Sequence, residues 1–158
     1  MARTPAADRI IAALDLAPLP HEGGFYRARW RSPTASAIFF LLTPEDFSAL
    51  HRLEQDEIWF FHAGDPVEHL RLDSSTGAAQ RVRMGPDVLA GDQPQVLVPA
   101  GWWQGARLDP PGPGQFGYAL FSCMVSPPWE ENGFTLGERE ALARTFPAHA
   151  ELIARLTR

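Results

Sequence analysis

Three polar side chains, far apart in the sequence, could together perform acid–base or metal chemistry. His51 lies in a mostly apolar stretch, Glu57 opens an aromatic run, and Gln104 follows two tryptophans. An imidazole beside a carboxylate can act as a general base with its orienting partner. The same pair could instead supply two ligands of a metal ion. His51 could also be a hydrogen-bonded core histidine, whereas a buried carboxylate at Glu57 would need a partner.

Aromatic and basic side chains near these residues could line a pocket. Trp59 and Phe61 share strand parity with Glu57, so all three would face the same interior. Flat aromatic walls suit sugars or ring-bearing ligands, although ordinary filling of a core explains them equally well. His62 has the opposite strand parity to Glu57, and His69 lies on a different strand. We therefore expect both histidines outside that cavity or at an interface. The predicted ligand-binding set is Glu22, Arg27, Trp59, Phe61, Trp102, Trp103 and Gln104.

Short strands must position these residues. β-forming runs separated by Gly, Pro and Asp turns predict nine of them. The candidates are Phe25–Arg31, Ala37–Leu42, Phe47–Leu53, Glu57–His62, Val67–Leu72, Ala79–Met84, Gln95–Val98, Trp103–Leu108 and Phe116–Val125. Hairpin turns are predicted at residues 54–56, 73–77 and 99–101, and a loop tip at residues 109–114. The first turn would bring Glu57 back beside the strand that carries His51.

Helices are predicted only at the two ends of this run. Thr4-Pro5 is typical of an N-cap followed by Pro at the first helical position, and that helix should end before Pro18. Two short helices are expected at Glu138–Arg144 and Pro147–Leu156. Many short strands at spacings of roughly 8–12 residues predict an all-β sandwich or barrel, which can enclose one small-molecule cavity.

Composition sets the outer limits. The chain has 158 residues with 15 Pro and 13 Gly, which disfavours a helical bundle. Its formal net charge is −5 and it has no basic run, so no nucleic-acid partner is expected. No stretch approaches the ~20 apolar residues of a membrane span. The single cysteine, Cys123, lies in an apolar run and is expected to be a small buried side chain, so a cytoplasmic location is the default expectation.

Two spaced motifs resemble those of the cupin superfamily. His51-x5-Glu57-x6-Gly64 resembles the first cupin motif, and Pro99-x-Gly101-x2-Gln104 resembles the second. Together with the block at residues 21–27, they resemble one small family, cupin family five, over about residues 8 to 135. The resemblance implies a jelly-roll barrel with a central ligand pocket that forms a homodimer. We therefore expect one domain, residues 1–158, with a core barrel at about 20–128 and a helical tail at about 136–157.

The chain departs from the general cupin pattern at two ligand positions. Leu53 and Gln104 stand where metal cupins carry histidines. One imidazole, one carboxylate and one amide oxygen make a poor site for a transition metal, so no metal and no cofactor are expected. A metal-dependent enzyme using His51, Glu57 and Gln104 remains the third of three functional hypotheses.

The first hypothesis is a metal-independent sugar epimerase or isomerase, by analogy with metal-free cupins. His51 assisted by Glu57 would be the base, and Tyr26 or Tyr118 the acid. Arg27 or Arg29 would hold a phosphate. The second hypothesis is a barrel that binds or senses a small polar ligand, such as a sugar or an anion, without catalysis.

Overall fold

Eleven strands and three short α-helices are seen in a computed structural model that describes residues 3–109 and 115–158. The strands are β1 (Ala17–Pro18), β2 (Phe25–Arg31), β3 (Ser36–Leu42), β4 (Ser48–Leu53), β5 (Asp56–Gly64), β6 (Val67–Asp73), β7 (Ala78–Met84), β8 (Gln95–Val98), β9 (Trp103–Leu108), β10 (Ala119–Ser126) and β11 (Phe134–Leu136). The helices are α1 (Pro5–Ala13), α2 (Arg139–Thr145) and α3 (Ala150–Arg155). All but the first residue of the predicted loop tip lies outside the described ranges.

The strands form two antiparallel sheets. One has the order β1-β2-β3-β10-β5-β8, and the other has the order β11-β4-β9-β6-β7. Side chains from both sheets meet in one buried core, so the sheets face each other as in a jelly-roll barrel. The predicted all-β barrel with short terminal helices is confirmed.

The C-terminal helices cover the outer face of the five-stranded sheet. Leu50 on β4 and Leu70 on β6 point away from the barrel interior and pack against Leu152 and Ile153 of α3. This second core is separate from the one inside the barrel. The five-stranded sheet is thus apolar on its outer face, which leaves its inner face to carry polar side chains.

The predicted hairpin at residues 73–77 is confirmed by the pairing of β6 with β7. The side chain of Asp73 accepts hydrogen bonds from Ser75 N and Ser75 Oγ at 2.9 and 2.7 Å, and from Thr76 Oγ1 at 2.7 Å. Gly77 completes the turn at a φ of +76°, a region that glycine adopts without the steric cost of a Cβ.

The other two predicted hairpins are wrong. β4 and β5, on either side of residues 54–56, lie in different sheets, and so do β8 and β9, on either side of residues 99–101. A short turn can reverse the chain within a sheet or carry it to the opposite sheet, and turn residues alone do not distinguish these paths. Consequently His51 and Glu57 are not neighbours on one sheet but belong to the two facing sheets.

A β-bulge in β4 gives that strand an irregular inner face. Ser48 pairs with Ala106 and His51 with Gln104, so three steps along β4 match two along β9. In a regular strand, residues three apart point to opposite faces. The extra residue lets both Ser48 and His51 face the barrel interior.

The C-terminal segment supplies partners for the backbone at this bulge. Leu50 N donates to Leu156 O at 2.7 Å, and Leu50 O accepts from Gly137 N at 2.7 Å. Buried backbone groups that a bulge leaves outside the ladder need such partners. The helical tail is therefore part of the structure that holds β4 in shape.

We expect Ile153→Ala to lower the free energy of unfolding by about 2–5 kcal/mol, because it leaves a cavity at a fully buried position between α3 and the sheet. Urea unfolding followed by tryptophan fluorescence measures this change. Leu89→Ala, at a fully exposed position, is the matched control and should change stability by less than about 0.5 kcal/mol. Equal stability of the two variants would contradict a structural role for the tail.

Candidate functional site

A hydrogen-bonded chain of three side chains links the two sheets through the barrel interior. The indole N–H of Trp59 donates to Gln104 Oε1 at 2.8 Å, and Gln104 Nε2 donates to Glu57 Oε2 at 2.6 Å. All three residues are buried. Trp59 and Glu57 lie on β5 of the six-stranded sheet, whereas Gln104 lies on β9 of the other.

His51 is buried on the facing sheet beside Gln104. Its Nδ1 lies 2.8 Å from the carbonyl oxygen of Ala49. Because a carbonyl can only accept, Nδ1 carries the proton, and Nε2 of the neutral ring is left with a free lone pair. The ring stacks on Phe134 with centroids 5.4 Å apart, which fixes its orientation.

Glu22 joins this cluster from the turn before β2. Its Oε2 lies 3.8 Å from His51 Nε2, and its Oε1 accepts from Ser48 Oγ at 2.7 Å. Gly23, with a φ of +102°, allows the tight turn, since a Cβ there would come within 2.4 Å of a carbonyl oxygen. Arg158 closes the turn from the far end of the chain by donating to Glu22 O at 3.0 Å.

Burial shifts the ionisation of all three titratable groups. Loss of solvation raises the pKa of Glu57 to about 7, opposed by the electrostatic influence of His51. Loss of solvation likewise raises the pKa of Glu22 to about 7, opposed by its hydrogen bond from Ser48. For His51 the desolvation lowers the pKa below the usual 6.5. Near neutral pH, an unprotonated imidazole therefore lies beside carboxyl groups that can still carry protons.

His69 is a buried polar residue that sequence reasoning placed outside the cavity. That prediction is wrong, since His69 is fully buried on the inner face of β6 and meets the Trp59 ring edge-on, with centroids 4.9 Å apart. His69 lies on β6, in the sheet opposite β5. The alternation of side chains along the strand of Glu57 therefore does not determine which way His69 points. Burial lowers the pKa of His69 to about 3. Within the described ranges, neither of its ring nitrogens has a hydrogen-bond partner.

Several predicted site residues lie away from this cluster. Arg27 is exposed and pairs with Asp15 at 2.9 Å. Trp103 packs against the second core, on the outer face of its sheet, under the guanidinium of Arg52. Tyr118 lies just before β10, and its ring contacts the exposed Phe116. The predicted roles of Arg27, Trp103 and Tyr118 in a pocket thus receive no geometric support.

The remaining predicted residues belong to the barrel interior without joining the hydrogen-bonded chain. Tyr26, Phe61 and Trp102 are half-buried and pack against the inner core. Phe61 meets Phe121 edge-on at 5.8 Å, a contact that fills the barrel. His62, which was expected outside, is exposed at the bulge of β5 and lies 2.6 Å from Ser122 Oγ. Cys123 is buried as expected, and burial raises the pKa of its thiol.

The donor set does not fit a metal ion between His51, Glu57 and Gln104. An indole N–H can only donate, so the oxygen of Gln104 must face Trp59, and its NH2 group, which cannot ligate a metal, faces Glu57. Across residues 3–109 and 115–158, no three His, Cys, Asp or Glu side chains converge on a point that could hold a metal ion. Gln104 is therefore a positioning residue for Glu57.

Residues 8–137 match the sequence profile of the family described as Cupin superfamily (DUF985). This chain belongs to the cupin superfamily. A hypothetical protein from Leishmania major has the same fold, with 33% identity and a TM-score of 0.87 over 96% of this chain and 98% of that one. A Shewanella oneidensis protein is 36% identical, with a TM-score of 0.85 over 100% and 99% of the two chains.

More distant cupins share the fold alone. An oxalate decarboxylase from Bacillus subtilis is 16% identical, with a TM-score of 0.59 over 90% of this chain and 37% of that one. No curated protein matches the sequence. Among the described residues, no helix is long and apolar enough to cross a membrane.

One glycine of the first cupin motif has a structural role. Gly64 has a φ of +100°, and a Cβ there would lie 2.1 Å from Tyr118 O. This close approach seats the end of β5 against β10, on the same strand that carries Glu57. In this cupin, the first motif therefore supplies both the buried acid and the turn that ends its strand.

Glu57→Gln is expected to become more stable than wild type as pH rises. The wild-type folded state retains a proton on Glu57 between pH 4.5 and about 7, where the unfolded state has lost it. The free energy of unfolding therefore falls as pH rises through that window, and the neutral amide escapes this loss. We expect an advantage of about 1–3 kcal/mol for the variant at pH 8, and a much smaller one at pH 4.5.

Urea unfolding at the two pH values measures this difference. Glu54→Gln, at an exposed position on the same turn, is the control and should show no pH-dependent advantage. A Glu57→Gln variant that is less stable than wild type at pH 8 would count against a buried, destabilising carboxylate.

Proposed function

We propose that this cupin binds a small polar ligand in its barrel and isomerises it by metal-independent acid–base chemistry. The observation that carries the proposal is the convergence of Glu22 and Glu57 on His51, whose Nε2 bears a free lone pair. A sugar with a carbonyl group is the substrate class we favour, because the carbon next to a carbonyl loses its proton most readily to such a base. Trp59 supplies an aromatic wall beside the acids.

Each group has a role in the proposed reaction. His51 Nε2 takes the proton from the carbon next to the carbonyl, and the C–H electron pair moves into an enolate. Glu22, which carries a proton below its pKa of about 7, gives that proton to the carbonyl oxygen, so the enolate becomes an enediol. Glu57, held by Gln104, stabilises the imidazolium in its ionised form, which its pKa of about 7 makes available at neutral pH. Glu22 then takes the proton of the other enediol hydroxyl while His51, 3.8 Å away, returns its proton to the former carbonyl carbon, which completes the isomerisation and restores both groups.

Glu22 replaces the tyrosines as the proposed acid. The ring of Tyr118 contacts the exposed Phe116, and none of the described hydrogen bonds or ring contacts joins Tyr26 to His51. Glu22, by contrast, is the carboxyl group closest to the free nitrogen. Its position explains why the turn before β2 is held so tightly by Ser48 and Arg158.

Solvent-hydrogen exchange tests the catalytic proposal. The protein is incubated in deuterated water with a panel of keto sugars and keto-sugar nucleotides, and deuterium incorporation is followed by mass spectrometry and NMR. We expect exchange with at least one compound, and a loss of about 100-fold or more in His51→Gln. His62→Gln, at an exposed position, should exchange at the wild-type rate.

Two outcomes would overturn the proposal. Exchange that persists unchanged in His51→Gln would remove His51 as the base. No exchange with any compound, combined with a co-purified ligand that stays chemically unchanged, would favour the alternative of a binding or sensing protein without catalysis.

We also propose that the protein functions as a homodimer in the cytoplasm. Supporting this state, β1 covers only two residues of β2, and Trp30 beyond that point is 53% exposed. Open edge strands with exposed aromatic side chains are commonly covered by a partner. Trp129, 41% exposed, lies close to this edge, because its carbonyl oxygen accepts from Arg31 at 2.7 Å.

Light scattering during size-exclusion chromatography tests the dimer. Wild type should show twice the 17.5 kDa mass of the chain, and Trp30→Ser should shift the population toward monomer. Leu97→Ser, at an exposed position on the opposite edge strand, is the control and should remain dimeric. A wild-type mass of one chain at micromolar concentration would contradict the proposal.

A further inference from the structure

An open cavity of about 400 Å³ lies where the edge strands of the two sheets come together. It is lined from β7 by Val82, from β8 by Val96 and Leu97, and from β6 by Arg71. Val82 pairs with His69, and Val96 pairs with Trp59. Two residues of the cavity wall, Val82 and Val96, are therefore direct cross-strand neighbours of the interior residues His69 and Trp59.

Arg71 is a cation at this cavity without an acidic partner within the described part of the chain. Its two terminal nitrogens donate to Leu97 O and Gln80 Oε1, and its Nε is buried without a hydrogen-bond partner in the same residues. A guanidinium has five N–H donors, so several remain for a ligand.

The neighbouring arginines are neutralised, which singles out Arg71. Arg81 pairs with Glu68, and Arg83 pairs with Asp92 and Asp109. All three arginines line the same cavity, yet only Arg71 among them has an unmatched charge in the described residues. An anion entering the cavity would therefore be attracted to Arg71.

His69 adds further unpaired polar groups on the interior side of Arg71. It lies two residues before Arg71 on the same face of β6, fully buried, with both ring nitrogens unpartnered in the described chain. A neutral imidazole offers one N–H donor, and leaving that donor buried and unpaired is costly. A ligand oxygen that accepts from this N–H would remove the cost.

The same row of the sheet connects this surface to the proposed catalytic base. Arg71 pairs with Gln104, and Gln104 pairs with His51. The backbones of Arg71 and His51 are thus two strands apart, roughly 10 Å at the usual strand spacing. A small molecule could reach from one to the other.

We propose that Arg71 and His69 form an anion subsite at the open edge of the barrel, which holds the carboxylate or phosphate group of the ligand. The subsite rests on the proposed function, because it places the charged end of the same small molecule that His51 would deprotonate. The anion would accept from Arg71 Nε and from the His69 N–H. Arg71 replaces Arg27 as the proposed anion-binding arginine, because Arg27 forms an ion pair with Asp15.

NMR titration with inorganic phosphate, and separately with acetate, tests the subsite. The arginine Nε–Hε resonances and the backbone amide resonances of Gln95 and Leu97, which line the cavity, are followed in 15N-labelled protein. Ionic strength is held constant with chloride as the reference anion, and the amide resonances measure binding in the variants that lack Arg71. We expect one of the two anions to shift the Arg71 resonance saturably. Arg71→Gln should weaken binding by about tenfold or more, because a charge-assisted hydrogen bond is lost.

Two further variants separate this site from general charge effects. His69→Phe keeps an aromatic ring against Trp59 but removes both nitrogens, and it should weaken anion binding several-fold. Arg81→Gln removes a cation from the same cavity that is already paired, and it should bind like wild type. Absence of saturable shifts with both anions, or equal weakening in Arg71→Gln and Arg81→Gln, would overturn the subsite.

The same titration on His51→Gln distinguishes the two proposals. Wild-type anion affinity in this variant is expected, because His51 does not touch the proposed subsite. If solvent exchange fails while Arg71-dependent binding persists, the catalytic proposal is wrong and the subsite stands. If exchange occurs but Arg71→Gln leaves both exchange and anion binding unchanged, the subsite is wrong and the catalytic proposal stands.

Discussion

Gln104 connects the two sheets through the centre of the barrel, and the rest of the polar interior depends on that connection. It accepts from Trp59 and donates to Glu57, so one amide satisfies two buried groups on the opposite sheet. Without it, a buried carboxylate and a buried indole N–H would both lose their partner, at a cost of several kcal/mol. The orientation of the Gln104 amide also follows, because an indole N–H cannot accept and the amide oxygen must therefore face Trp59. A glutamine where metal cupins have a histidine thus changes the site from ligation to hydrogen bonding.

The five-stranded sheet can carry polar residues inside because it is anchored on the outside. Its outer face packs against α2 and α3 through leucine and isoleucine side chains. Its inner face presents His51, His69, Gln104 and Arg71 toward the barrel. Burial of apolar side chains on the outer face offsets the free-energy cost of burying polar groups on the inner face. The helical tail, which looks like an appendage in sequence, therefore supports the site.

Much of the fold and part of the site could be predicted from the sequence. Turn residues located the strands closely, and the spacing of the two motifs identified His51, Glu57 and Gln104 as neighbours. The assignment of β4 and β5 to different sheets could not be predicted, because a short polar turn has the same composition in either path. The burial of His69 was missed because a histidine on a mixed strand carries no signal for which face is inside. Ser48 faces inward because of a bulge in β4, and no local residue pattern predicted that bulge.

The bulge in β4 also bears on how this protein can change during evolution. Deleting one residue between Ser48 and His51 would restore a regular ladder with β9, and by that measure would improve the strand. Ser48 and His51 would then be two residues apart, so both would still face the barrel interior. The cost would instead fall on the bulge itself, where Leu50 N and O bond to Leu156 O and Gly137 N. The length of this strand is thus constrained by its backbone contacts with the C-terminal segment rather than by the orientation of Ser48 and His51. Changes in chain length are expected to be tolerated in the surface loops of the barrel and to be rejected in these four residues.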